Sequence, residues 1–93
     1  MDKDYNFELN LIWASARGNV EMVRWLIEMG VDIHAEREDA LKIASKRGHT
    51  EIVKLLIDAG ADIHSDNDEA LRLALEKGYK DIVNLLLKKY RKE

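Results

Sequence analysis

The sequence predicts an all-α solenoid of three stacked helix-turn-helix units, and three observations carry that prediction. Glycines recur thirty residues apart, Gly18 with Gly48 and Gly78, and Gly30 with Gly60. Between them, apolar residues repeat at helical spacing, as in Ile52, Val53, Leu55, Leu56, Ile57 and their counterparts Ile82, Val83, Leu85, Leu86, Leu87. A short connector recurs as well, Val31-Asp32-Ile33-His34 and then Ala61-Asp62-Ile63-His64. A fixed period of about 20–50 residues marks stacked repeats, in which each unit builds its core against its neighbours. The units fall over about 7–36, 37–66 and 67–93, and no proline, linker or low-complexity run divides the chain into further domains.

The first helix is expected from about Phe7 to Arg17, with Asp4 or Asn6 as its cap. Phe7 and Leu9 depart from the later units, which carry Arg37 and Asn67, then Asp39 and Glu69, at those places. An outermost repeat departs in this way because one of its faces has no neighbour. Gly18 then ends the helix through positive φ at the C′ position. A second helix follows from about Val20 to Met29. Met22, Val23, Leu26 and Ile27 form its apolar stripe, Trp25 widens it, and Glu21, Arg24 and Glu28 face outward. After Gly30, the connector returns the chain to the start of the next helix. The later helices are expected over about Arg37–Arg47, Thr50–Ala59, Asn67–Lys77, and Lys80 to Tyr90 or beyond. Glu21, Glu51 and Asp81 open the second helices, where acids complement the positive end of the helix dipole. Tyr90 stands where a third glycine is due, so the last helix runs on into a charged end of the kind that caps an array.

Composition removes several function classes. The chain has 93 residues and no cysteine, which excludes disulfides, thiol catalysis and cysteine-ligated zinc. No apolar run approaches the roughly 18–20 residues of a membrane span. Met1-Asp2-Lys3-Asp4-Tyr5 lacks the apolar core of a signal peptide, so an intracellular location is expected. The formal net charge of −3 is spread in both signs, which speaks against nucleic acid as a partner. The basic run Lys88-Lys89-Tyr90-Arg91-Lys92 reads as a solvated helix end.

Ala40-Leu41, Ala44, Gly48-His49-Thr50-Glu51-Ile52-Val53-Lys54-Leu55-Leu56 and Gly60-Ala61-Asp62-Ile63 resemble the ankyrin-repeat pattern from about Leu9 to Tyr90. The period of thirty is shorter than the family's usual 33 or so. The missing residues fall between connector and helix, where Glu36-Arg37-Glu38-Asp39 and Asp66-Asn67-Asp68-Glu69 replace the family's Gly-x-Thr-Pro turn. The long β-hairpin finger is therefore expected to be trimmed to a tight loop. Thirty-residue units with an Asp-Ile-His connector are similar to the ankyrin arrays of large DNA viruses of amoebae.

The resemblance implies a non-enzymatic module that binds other proteins through the concave face of the first helices, with no cofactor and no metal. The residues expected to tune that face are Trp13, Arg37, Lys42, Lys46, Asn67, Arg72 and Glu76, with Lys42 and Arg72 exposed. Trp13 is read as packing over the end of the core, with a partner anchor as the alternative. His34 and His64 invite a metal or pH-sensing ladder, yet stacked helices lie roughly 8–10 Å apart and a metal binds its ligands at about 2 Å. They are read as loop residues whose rings bond to nearby backbone, and His49 likewise. Glu38-Asp39 and Asp68-Glu69 are read as exposed acids at helix starts. Two alternatives stand beside protein binding: an engineered scaffold with no natural partner, and self-association through the end faces.

Overall fold

The computed structural model describes residues 6–93, so the capping role considered for Asp4 lies outside it. Six helices follow in order: α1 (Phe7–Arg17), α2 (Val20–Glu28), α3 (Ala35–Arg47), α4 (Thr50–Asp58), α5 (Ser65–Lys77) and α6 (Lys80–Lys92). They pair as α1–α2, α3–α4 and α5–α6, and the odd-numbered helices pack side by side as an inner layer. The even-numbered helices form the outer layer. This is the all-α repeat architecture expected.

Asn6 caps α1, its Oδ1 accepting from the Leu9 N–H at 3.0 Å. Asn19 caps α2 through the Met22 N–H at 3.1 Å. Gly18, Gly48 and Gly78 take φ of 78°, 81° and 76° and end the inner helices. Two of them have a second reason to be glycine. A Cβ on Gly18 would lie 2.8 Å from the His49 ring, and one on Gly48 would lie 2.9 Å from the Tyr79 ring. Each ring thus closes over the preceding unit's helix turn, and the His49 Nε2 donates to the Ala16 carbonyl at 3.0 Å.

The core is a row of registered side chains. Leu11, Leu41, Val23, Val53, Leu26, Leu56, Leu86, Ile52 and Ile82 are all at most 1% exposed. Ser15 and Ser45 are fully buried at the packing side toward the next unit, where Leu75 is 58% exposed in the last. Three expectations need correction. Met22 and Trp25 are exposed, because their counterparts Ile52 and Leu55 pack on the preceding unit and the first pair has none among the described residues. Leu87 is also open, on the opposite end face. Leu55, Ile57 and Leu85 are only partly buried, packed on the rim of the core.

The connectors hold the largest departure. Helices α3 and α5 begin two residues before expected, but Glu36, Arg37, Glu38 and then Asp66, Asn67, Asp68 all have φ between 55° and 68°. Regular right-handed helix resumes at Asp39 and Glu69. A single left-handed turn, closed by Glu38 N–H to the His34 carbonyl at 3.2 Å, replaces the hairpin finger. The trimmed loop expected from the thirty-residue period is present in this form. Left-handed backbone costs an L-residue about 1–2 kcal/mol, least for Asn and Asp. The second turn is Asp-Asn-Asp; the first is Glu-Arg-Glu and carries the greater strain. Glu36→Gly is therefore expected to stabilise the fold by about 0.5–1 kcal/mol, after allowing for glycine's greater freedom when unfolded. A thermal midpoint that fell instead would show the turn to be unstrained.

Candidate functional site

Two groups of the expected residues separate in space. Trp13, Lys46 and Glu76 lie on the inner-helix face. Trp13 is 59% exposed, and the Arg17 guanidinium carbon sits 5.4 Å from its ring centroid. Trp13 does not pack over the core end. Its exposure corrects that reading, because position 13 points away from α2 while Ala14 and Leu11 take the buried side. Ile43 and Leu73 hold the same register and are half-buried. Shallow depressions flank the line, one between Trp13, Arg17 and Asn19, another between Arg72, Leu73 and Glu76.

Arg37, Lys42, Asn67 and Arg72 gather instead around the second left-handed turn. Lys42 is buried, contrary to its expected exposure. Its ammonium reaches down to the Asp66 carboxylate and lies 3.8 Å from Glu69, so the side chain fills the gap between neighbouring units. Arg37 pairs with the same Asp66 carboxylate. Arg72 is exposed, but its guanidinium donates to the Asp66 and Asn67 carbonyls at 2.8 and 3.1 Å. The Ser65 hydroxyl donates to the Arg37 carbonyl at 3.1 Å, which ties the second turn to the first. Ile12 occupies the register of Lys42 in the first unit, so the Glu36 turn has no such clamp.

A second network was missed in the sequence. Glu38 is buried, not an exposed acid at a helix start. One of its oxygens accepts from the Asp62 N–H at 3.0 Å and the other meets His34 Nδ1. Glu8 repeats the first contact more weakly, at 3.5 Å from the Asp32 N–H. His34 and His64 correspondingly bond carboxylates rather than backbone. His64 holds Asp68 at 2.6 Å on Nδ1 and Glu93 at 2.5 Å on Nε2, with the Tyr90 ring edge-on at 4.7 Å. The signal was present, since Glu8, Glu38 and Asp68 repeat thirty residues apart. Among the described residues, no group of three or more His, Asp or Glu is arranged to hold a metal ion.

These contacts set titration. Hydrogen bonds from Lys42 and then Arg37 hold the Asp66 carboxyl down to about 2. Hydrogen bonds to Glu93 and then Asp68 raise the His64 pKa above the usual histidine value. The signs are opposite. The Asp66 contribution to stability is present above pH ~4 and is lost as pH falls toward 2. The His64 contribution is complete below about pH 6.5 and is lost as pH rises through the raised value. Urea midpoints of the parent chain and Glu93→Gln are expected to differ in acid-to-neutral solution and converge at alkaline pH; a constant gap would contradict the assignment.

Helix pairs stacked in register, joined by glycine-terminated turns and held by residue-to-residue ladders between units, define a helical-repeat protein with an open inner face. The pattern of ankyrin repeats, in three copies, matches residues 11–93, and the chain belongs to the ankyrin-repeat family. A 37-residue stretch is 57% identical to part of the human protein described as DNA-binding protein RFXANK. That stretch covers 37% of this chain and 14% of the human protein, so the chain spans only a small part of that relative's length. Among the described residues, no helix is long and apolar enough to cross a membrane.

Proposed function

We propose that the chain is a non-enzymatic protein-binding module whose docking surface is the inner-helix face. The observation that carries this reading is Trp13, a large ring 59% exposed in line with Ile43 and Leu73. Tryptophan is enriched at the centres of protein interfaces. The family's general role as an interaction module supports the same reading. Lys46 and Glu76 sit beside that line and bias its choice of partner. Arg37, Lys42, Asn67 and Arg72 hold the turn edge in shape, and of these Arg37 and Asn67 are open enough to touch a partner. The partner is a protein rather than nucleic acid or membrane, since the net charge is −3 and carboxylates line the turn edge.

Peptides selected from a random library on the immobilised chain test this. Trp13→Ala and Leu73→Ala are expected to weaken the selected binders at least tenfold, and Arg24→Ala on the outer face to leave them unchanged. The reverse pattern would move the docking surface to the outer helices.

A second reading, self-association through the end faces, draws on the distribution of exposed apolar side chains. Leu9, Met22, Trp25 and Met29 open on the first unit and Leu75, Leu87 and Tyr90 on the last, with none on the middle unit. Sedimentation equilibrium over a wide concentration range decides it, because end-to-end pairing requires a mass that rises with concentration.

A further inference from the structure

The inner face is polar along its length in a way that its role in folding does not need. Each inner helix ends on a base, Arg17, Arg47 or Lys77, and Lys46 adds another beside them. Each also carries an apolar residue four positions earlier, Trp13, Ile43 or Leu73. Residues four apart share a helix face, and the Arg17 guanidinium lying 5.4 Å over the Trp13 ring displays that geometry directly. Lys46, Arg47 and Lys77 are exposed, and none of them forms an ion pair with another described residue. The carboxylates cluster at the opposite ends of the same helices, where Asp39 and Glu69 begin them and Asp66 is already neutralised by Lys42 and Arg37.

From this juxtaposition we infer that the inner face takes an acidic peptide segment. Its carboxylates meet the row Arg17, Arg47 and Lys77 while its apolar side chains cover Trp13, Ile43 and Leu73. The inference rests on the protein-binding reading above and gives its partner a chemistry. Bases at helix C-termini complement the helix dipole, which explains their presence one helix at a time. It does not explain why each stands beside an exposed or half-buried apolar residue on the open face. The spacing also favours a peptide over nucleic acid. Stacked helices place the three bases about 8–10 Å apart, with Glu76 among them, whereas a duplex presents one phosphate per ~1.7 Å of axis. A sparse row of cations beside an apolar line matches scattered carboxylates on a chain with apolar anchors. In a protein of net charge −3 the row is a local reversal of sign, which is what steers an acidic partner to one face.

Fluorescence anisotropy on the full chain tests the inference with four labelled probes: synthetic peptides of repeating Glu-Leu-Glu, Gln-Leu-Gln and Lys-Leu-Lys, and oligothymidylate. The acidic peptide is expected to bind on the order of tenfold more tightly than the neutral one and to weaken as salt is added. The double substitution Arg47→Glu, Lys77→Glu is expected to remove that preference with the helical circular dichroism unchanged. The milder pair Arg17→Gln, Lys46→Gln is expected to reduce it in the same direction should the first variant misfold. Lys88→Glu, Lys89→Glu, beside the lysine-lined groove on the outer face, is expected to leave it intact. Equal binding of acidic and neutral peptides, still lost in Trp13→Ala, would overturn the acidic chemistry while leaving the docking face standing. Binding indifferent to both Trp13→Ala and Leu73→Ala would overturn the docking face as well. Tighter binding of oligothymidylate, loss in the Lys88 pair instead, or no binding of the acidic peptide would each overturn the inference.

Discussion

Replacing Leu56 with alanine is expected to lower the unfolding free energy by about 2–5 kcal/mol. Leu56 is fully buried in the middle unit and is flanked by registered leucines on both sides, Leu26 and Leu86. The cavity has nowhere to collapse, because the helices around it are fixed by their own neighbours. A chain of this length has roughly 5–14 kcal/mol in total, so the loss is a large fraction of what holds the fold. Urea denaturation followed by far-ultraviolet circular dichroism measures it. Met22→Ala is the control, since Met22 is 38% exposed and its truncation removes little buried area. Equal losses at the two positions would contradict the registered core.

Glu38→Ala is expected to lose about 2–3 kcal/mol, against a few tenths for Glu8→Ala. Both carboxylates aim at the N–H of the next connector's aspartate, but only Glu38 is buried and close, at 3.0 Å against 3.5 Å. Removing it leaves the Asp62 N–H without its protein acceptor and His34 without its carboxylate. Glu38→Gln keeps an acceptor oxygen and should recover part of the loss. Should Glu8→Ala and Glu38→Ala cost the same in a urea titration, the bridge would not be what joins the second unit to the third.

Much of the fold was legible because the repeat writes each rule two or three times. The six helices, their glycine stops and the shortened connector all followed from the thirty-residue period. The connector's left-handed geometry did not, since Glu-Arg-Glu-Asp carries the charge pattern of an ordinary helix start and local propensity disfavours three such residues at positive φ. Lys42 was misplaced for a related reason. A lysine between exposed registers reads as solvated until Asp66, twenty-four residues later, is brought beside it by the stacking. The acids at 8, 38 and 68 were visible as a repeat but were explained by the helix dipole, which hid their reach into the next unit. Trp13 was misread because its neighbours Leu11 and Ala14 supply the burial that a tryptophan was expected to need.

The packing is mainly between each helix and its immediate neighbours in the row, and the molecule measures 43 × 24 × 21 Å. No long-range closure bolts its first unit to its last. Stretched between its ends, such a body behaves as a short spring of coupled links. The Glu38 bridge and the Lys42 clamp both join the second unit to the third, while the first is joined by the weaker Glu8 contact. Under load the first unit is expected to peel away before the other two part, giving a force trace of two unequal steps.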